Sequence, residues 1–445
     1  MAFEGKVYDL IGVGFGPSNL SLAVAVADEM ENAGADWNLE MLFLEQKPGF
    51  VWHEGMLIKN TNMQISFMKD LITLRNPKSR FTFLNYIKEQ NRLDEFINLK
   101  EFYPTRIEFN DYMAWVAQHF ENCVRYGQTV TSIHPVTGQD GEVEYLEVSV
   151  TDADGQASVF RTRHLVVASG GTPTFPATVD VPQADNVFHS HNFLYRLNQQ
   201  FSNSEEPYRF LIVGGGQSSA EIFTHLVGSY PNADVTVAMR AFNYKPADGS
   251  ELVNQIFFPE MTDFFYELSP ENREKMLRAH YNTNYAVVDS SLIRSIYKML
   301  YDQRVVGVDR FRILSFLELK ELSTQAGEVF AMFENVMTRE TVQLQSDAVI
   351  MATGYDRPKR HPLLKSLEPF LVTVEDGGYE IEREYRLVTK AGFKPSIFVQ
   401  GVNEGTHGLS DTLLSVLPYR ASEILRSLHQ QMRTVINSDE VTIGW

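Results

Sequence analysis

Cysteine is almost missing from this chain: among 445 residues there is one, Cys123. A single thiol excludes an intrachain disulfide, a dithiol redox pair and a thiolate metal cluster, which leaves Cys123 as a buried, inert side chain. No apolar run reaches the ~18 residues a membrane span needs, and no basic segment followed by an apolar one opens the chain. Positive charge is the scarcer sign, with 39 Lys and Arg against 57 Asp and Glu and a formal net charge of -18. Nucleic acid is therefore not an expected partner, because a phosphate-binding face needs clustered Lys and Arg. The acidic excess reads as a solvated surface and leaves room for a local basic pocket. No convincing ligand cluster appears among the eleven His, so no metal is expected.

What is present is apolar bulk and glycine in two telling places. Hydrophobic residues make up 44%, enough for sizeable cores, and at roughly 150 residues per domain the length suggests two or three. One pattern occurs twice: an apolar run, a glycine cluster, then a helical stretch. Residues 7–13 feed Gly12-Val13-Gly14-Phe15-Gly16-Pro17-Ser18-Asn19, and residues 210–213 feed Gly214-Gly215-Gly216-Gln217-Ser218-Ser219-Ala220-Glu221. Further strand candidates are 39–44, 144–150 paired as a hairpin with 158–161, 164–168, 235–239, 347–352 and 397–400. The polar stretch 202–207 reads as a linker, and 245–301 reads as a mostly helical insertion. Alternating strands and helices predict an α/β protein with two Rossmann-like dinucleotide-binding domains and a smaller, mostly helical substrate-binding subdomain. The expected division is 1–205 with 345–445 for the first domain and 206–344 for the second, including the 245–301 insertion.

At the first cluster Gly12 permits the tight turn and Gly14 the close approach of a pyrophosphate, which the following helix start stabilises. Pro17 replaces the usual third glycine, tolerable in a first helical turn. Glu45 closes the next strand and suits the hydroxyls of an adenosine ribose. At the second cluster Gly214 and Gly216 take the same roles, with Gln217 and Ser218 in the turn and Ser219 at the third-glycine position. The next strand ends in Arg240 rather than an acid, which favours the 2′-phosphate of NADPH, with Lys245 a possible helper. In this arrangement the N-terminal site takes FAD, and Thr353-Gly354-Tyr355 returns the chain to the FAD domain. Hydride passed from NADPH to FAD needs an acceptor. A disulfide is ruled out by the lone Cys123, so O2 remains, in a monooxygenase or an oxidase.

The segment from Asp9 to Asn19 resembles the opening of the flavin-dependent N-hydroxylating monooxygenases of siderophore biosynthesis. So do Trp52-His53, Met63 to Leu71, Leu74-Arg75-Asn76-Pro77, Gly214 to Glu221, Ala352 to Tyr355 and Thr406-His407-Gly408-Leu409-Ser410-Asp411. The resemblance spans nearly the whole chain and is strongest to the bacterial L-ornithine N5-monooxygenases. It implies hydroxylation of a primary amine by O2 through a flavin hydroperoxide, in a cytoplasmic homotetramer. It also implies that Lys69 binds the substrate carboxylate, that Asn254 contacts the substrate, and that Asn284 contacts both substrate and nicotinamide ribose. Leu409 and Ser410 would meet the amine end, with Asn284 and Ser410 the catalytic candidates, and Gly408 would lie at the flavin. Trp52, His53 and Gln64 would line the flavin, although a packed core His53 is an equal reading. Asn254 and Asn284 also suit helix caps, as do Asp411 and Thr412. Retention of Lys69, Asn254 and Asn284 favours ornithine over putrescine, cadaverine or histamine. A flavoprotein that only oxidises NADPH is the reading from another class.

Overall fold

The computed structural model describes residues 2–33, 38–177 and 179–441. Two sheets grow from the two glycine clusters. In the first, Ala2–Val13 lies between Met41–Leu44 and Ala157–Val167, parallel to both. Leu10, Ile11, Leu165 and Val166 are fully buried, as expected for parallel strands covered on both faces, which read as unbroken apolar runs. Val143–Asp152 and Gln128–Thr137 extend this sheet antiparallel, and Ser396–Val399 brings the end of the chain back to it. Helix Pro17–Ala33 follows the first turn and packs against the long last helix, Leu417–Val441.

The second sheet has the order Phe311–Leu314, Asp234–Ala238, Arg209–Val213, Ala348–Met351, Val187–His189, all parallel. This corrects the expected division of the chain. Val187–His189 and Ala348–Met351, assigned from sequence to the first domain, are strands of the second. A short apolar strand carries no mark of the sheet it joins, so only the pairing reveals it. The crossings between domains lie instead at Thr172–Pro173 and Tyr355–Asp356, which form a two-stranded antiparallel ribbon.

The proposed insertion also divides. Helix Ser290–Val305 packs into the second domain, where Ile296 meets a core containing Val235, Phe223 and Phe311. The preceding part, with the short turn Val253–Phe257 and helices Pro259–Glu267 and Pro270–Ala279, packs on the C-terminal loop around Glu404–His407 and Leu409–Thr412. An antiparallel meander, Leu317–Gln325, Glu328–Asn335 and Thr341–Ser346, covers the other face of the second sheet.

Among the described residues no helix is long and apolar enough to cross a membrane, and no group of three or more His, Cys, Asp or Glu could hold a metal ion. Cys123 is half-buried rather than buried; its thiol donates to the Phe120 carbonyl at 3.2 Å, and burial pushes its pKa up to about 11.

Candidate functional site

The first glycine turn has no room for side chains at two positions. A Cβ on Gly12 would lie 2.3 Å from the Phe43 ring, and one on Gly14, whose φ is +81°, would lie 2.7 Å from the Ala168 carbonyl oxygen. The backbone therefore approaches any ligand bare. Helix Pro17–Ala33 begins at Pro17, so its first-turn amides have no intrahelical acceptors and face the turn. Glu45 stands beside it, one carboxylate oxygen accepting from Phe15 N at 2.7 Å and the other from Lys47 N at 3.0 Å. Each oxygen keeps a lone pair for a hydroxyl.

Asn19 behaves differently from expectation. It is fully buried, and its amide donates to the carbonyls of Gly14 at 2.7 Å and Val13 at 3.3 Å. It shapes the turn and does not face a cofactor. Its own oxygen accepts from Gln400, Gln400 accepts from Arg420, and Arg420 also donates to the Ser18 hydroxyl at 2.9 Å and to Asp411 at 3.0 Å. Sequence reading missed Gln400 and Arg420; the available signal was one Arg in the otherwise apolar start of the last helix.

The second turn repeats the geometry. A Cβ on Gly214 would lie 2.3 Å from the Ala352 carbonyl oxygen, and Gly216 is the N-cap of helix Gln217–Ser229. Ser218 is half-buried beside it. Two neighbours are engaged within the protein. Gln217 donates to Glu221 at 2.7 Å and accepts from Asp289 N at 2.9 Å, while Ser219 is buried against the Tyr244 hydroxyl at 2.9 Å. Ser219 thus packs the helix inward, which corrects its assignment as a cofactor contact. Arg240 is 76% exposed with only a 3.7 Å approach to Glu318, so its guanidinium is available at the strand end; Lys245 is exposed as well.

Between the two turns, Arg106 of the first domain meets Glu221 of the second in a two-bonded pair of 2.6 and 2.8 Å, with Glu221 only 3% exposed. Neither residue was singled out from sequence. The Trp52, His53, His189, His191 and Tyr355 rings gather at this junction. The ring centroids of His53 lie 4.9 Å from Trp52 and 5.9 Å from Tyr355, and that of His189 lies 5.3 Å from Tyr355. His53 has left-handed backbone (φ 50°) and opens to solvent, so it is not a packed core histidine. Crowding by protein on its other sides, then the cations of Arg106, His191, Lys47 and Arg357, hold its pKa below the usual range. Thr353 donates its hydroxyl to the Thr174 carbonyl and Gly354 takes φ +83°, so both serve the ribbon between domains. Gln64 is exposed.

The C-terminal loop collects most of the remaining candidates. The turn holding Asn254 packs on the turn holding Leu409 and Ser410, which are both buried. Asn254 donates to the Gly249 carbonyl at 3.1 Å, steadying its own loop; Asn284 is the C-cap of the short turn Tyr281–Thr283, its backbone N–H donating to the Tyr281 carbonyl. The hydroxyl of Tyr285, next to Asn284, donates to Glu404 at 2.6 Å and lies 3.0 Å from the Thr412 hydroxyl. Asp411 pairs with Arg420 and accepts from Asn403 N at 2.7 Å, so neither Asp411 nor Thr412 caps the last helix, which starts at Leu417. Gly408, at φ +85°, lies close over Phe265. A small apolar cavity lies here, lined by Ile256, Met261, Phe265, Met276 and Leu409. Asn254, Asn284, Leu409 and Ser410 are thus joined through this loop. Lys69 is on a separate segment, fixed by backbone bonds from Met63 to Pro104 and from Phe67 to Phe102.

A two-domain α/β protein with two bare glycine turns, one between strand and helix in each domain, is an enzyme of the two-dinucleotide class. The family model described as L-lysine 6-monooxygenase/L-ornithine 5-monooxygenase matches residues 6–357, and the chain belongs to this family. It is 44% identical over 430 residues, covering 96% of this chain and 95% of the relative, to an L-ornithine N(5)-monooxygenase of Pseudomonas aeruginosa. Its fold matches an ornithine N-hydroxylase of Kutzneria sp. 744, solved with reduced FAD, NADP+ and L-ornithine, with a TM-score of 0.89 and 35% identity over 96% of this chain and all of that one. It also matches an FAD-bound cadaverine monooxygenase of Erwinia amylovora, with a TM-score of 0.82 and 27% identity over 95% of each chain.

Proposed function

We propose that this chain hydroxylates the terminal amine of L-ornithine, using O2, NADPH and FAD, to supply a hydroxylamine for siderophore biosynthesis. The observation that carries the amino-acid substrate is Lys69. It is half-buried, and its ammonium has no hydrogen bond or ion pair among the described residues. An ammonium with no anion beside it is open to a carboxylate, which it would bind with charge-assisted hydrogen bonds. A diamine would bring a second ammonium instead.

The glycine turns fit the two cofactors. Gly12, Gly14, Pro17, Ser18 and Glu45 would hold FAD, with Trp52, His53, Gln64 and Tyr355 near its ring; Gly214, Gly216, Ser218 and Arg240 would hold NADPH. FAD reduced by NADPH supplies the activation of O2 that no side chain offers. One oxygen atom enters the N–OH group and the other leaves as water. The protein's own contribution is placement and dryness. Lys69 takes the carboxylate, Asn254 and Asn284 hold the backbone end, Ser410 and Leu409 meet the amine, and the apolar lining by Met261 and Phe265 excludes water.

A cytoplasmic location, where both cofactors are supplied, and assembly as a homotetramer complete the proposal. Tyr297, Tyr301 and Val305, exposed along one helix face, support self-association. The test is Lys69→Ala. KM for ornithine should rise about 10- to 100-fold, the worth of a charge-assisted hydrogen bond, with kcat changed far less and KM for putrescine unchanged. An equal rise for both amines would refute the carboxylate role.

A further inference from the structure

Arg420 is 1% exposed, and among the described residues Asp411 is its only carboxylate partner. Burying a guanidinium is unfavourable unless its donors are met, and an apolar side chain of similar volume would serve packing alone as well or better. Here the donors are met by residues far apart in the chain. Nε donates to Gln400 at 3.0 Å, Nη1 to the carbonyl and carboxylate of Asp411, and Nη2 to the Ser18 hydroxyl at 2.9 Å. Gln400 in turn donates to Asn19 at 3.0 Å, and Asn19 holds the Gly14 carbonyl. One side chain therefore ties the first glycine turn to the residue that directly follows Ser410.

The bond to Ser18 has a chemical consequence. Its oxygen accepts from Arg420, so its own proton must be donated elsewhere. No acceptor for it lies among the described residues, and Ser18 is half-exposed in the first turn of the helix. The hydroxyl is thereby set as a donor toward an anion in the turn.

We propose that Arg420 is a positioning residue that orients Ser18 toward the FAD pyrophosphate and, through Asp411, couples filling of that turn to the Gly408–Ser410 loop. This rests on the FAD reading of the first turn. The test uses the full chain stripped of flavin, together with Arg420→Met, Arg420→Lys and Ser18→Ala. FAD affinity is read by flavin fluorescence, and amide exchange over 403–413 is followed with and without saturating FAD.

In the unsubstituted chain FAD should slow exchange of these amides by about tenfold or more. Arg420→Met should weaken FAD binding about tenfold and abolish the FAD-dependent slowing. Arg420→Lys, which keeps a charge beside Asp411 but cannot span all four acceptors, should fold and lose the slowing too. Ser18→Ala should lose it while its flavin-free exchange stays at the unsubstituted rate, a result that a merely structural Arg420 would not give. FAD that binds without altering exchange over 403–413, or Arg420 and Ser18 variants that keep the slowing, would overturn the coupling. Failure of the unsubstituted chain to bind FAD would instead overturn the cofactor reading.

Discussion

Replacing Arg106 by Met removes two hydrogen bonds of 2.6 and 2.8 Å from Glu221, whose side chain is 3% exposed and, among the described residues, keeps only the Gln217 amide at 2.7 Å. A buried carboxylate stripped of its cation costs about 3–5 kcal/mol. Substituting both partners, Arg106→Met with Glu221→Gln, removes the stranded charge, so the double variant should recover about 2 kcal/mol or more of that loss. Burial already raises the Glu221 pKa, and Arg106 opposes the rise. Without Arg106 the pKa climbs further, so the single variant pays most where the carboxylate must be charged, at pH 8. Its deficit shrinks as pH falls toward the raised pKa, because the folded state then takes up a proton. Two domains need not unfold together, so the assay is native-state amide exchange in helix Gln217–Ser229, at pH 8 and pH 6. Equal losses in single and double variants, or a deficit independent of pH, would refute the claim that Arg106 compensates a buried, charged Glu221.

Arg240→Ala should raise KM for NADPH about 10- to 100-fold and leave KM for NADH nearly unchanged; steady-state kinetics with both coenzymes checks this. The melting temperature should barely move, because Arg240 is 76% exposed and its approach to Glu318 is 3.7 Å. His164 and His407 are buried, and burial, first among the causes, lowers the pKa of each to about 4. The unfolded state binds their protons first, near pH 6.5, so their stabilisation is complete above that value and is lost as pH falls to about 4. Each contributes up to about 3 kcal/mol at neutral pH, and His407→Gln should flatten the fall of melting temperature with pH by one proton's worth. An unchanged slope would count against a neutral, buried His407.

Both nucleotide turns were legible in the sequence because their chemistry is local. A strand, a bare glycine turn and a helix start occupy adjacent residues, and crowding at Gly12, Gly14 and Gly214 explains why glycine is needed there. Arg240 follows the next strand of the same unit, so its place beside the second turn is local too, and it is left 76% exposed there. Domain membership of Val187–His189 and Ala348–Met351 was not, since parallel pairing joins segments far apart in the chain and leaves no local trace. The partners of Asn19 and Ser219 were hidden likewise, being set by Gln400 and Tyr244, and so were Arg106 and Arg420, whose acceptors lie 115 and up to 402 positions away. Of the substrate candidates, Asn254, Asn284, Leu409 and Ser410 meet through the C-terminal loop, while Lys69 is held apart on its own segment.

The central claim is N-hydroxylation of an amino acid's terminal amine, and an amine panel tests it most directly. The full chain with FAD, NADPH and O2 is given ornithine, lysine, putrescine, cadaverine or histamine in turn, and hydroxylamine and peroxide are measured together. The account predicts hydroxylamine with ornithine, stoichiometric with NADPH consumed, and little with the three amines that lack a carboxylate. Hydroxylamine from a diamine but not from ornithine would contradict the role given to Lys69. NADPH consumed with peroxide as the only product, whatever the amine, would contradict the account as a whole.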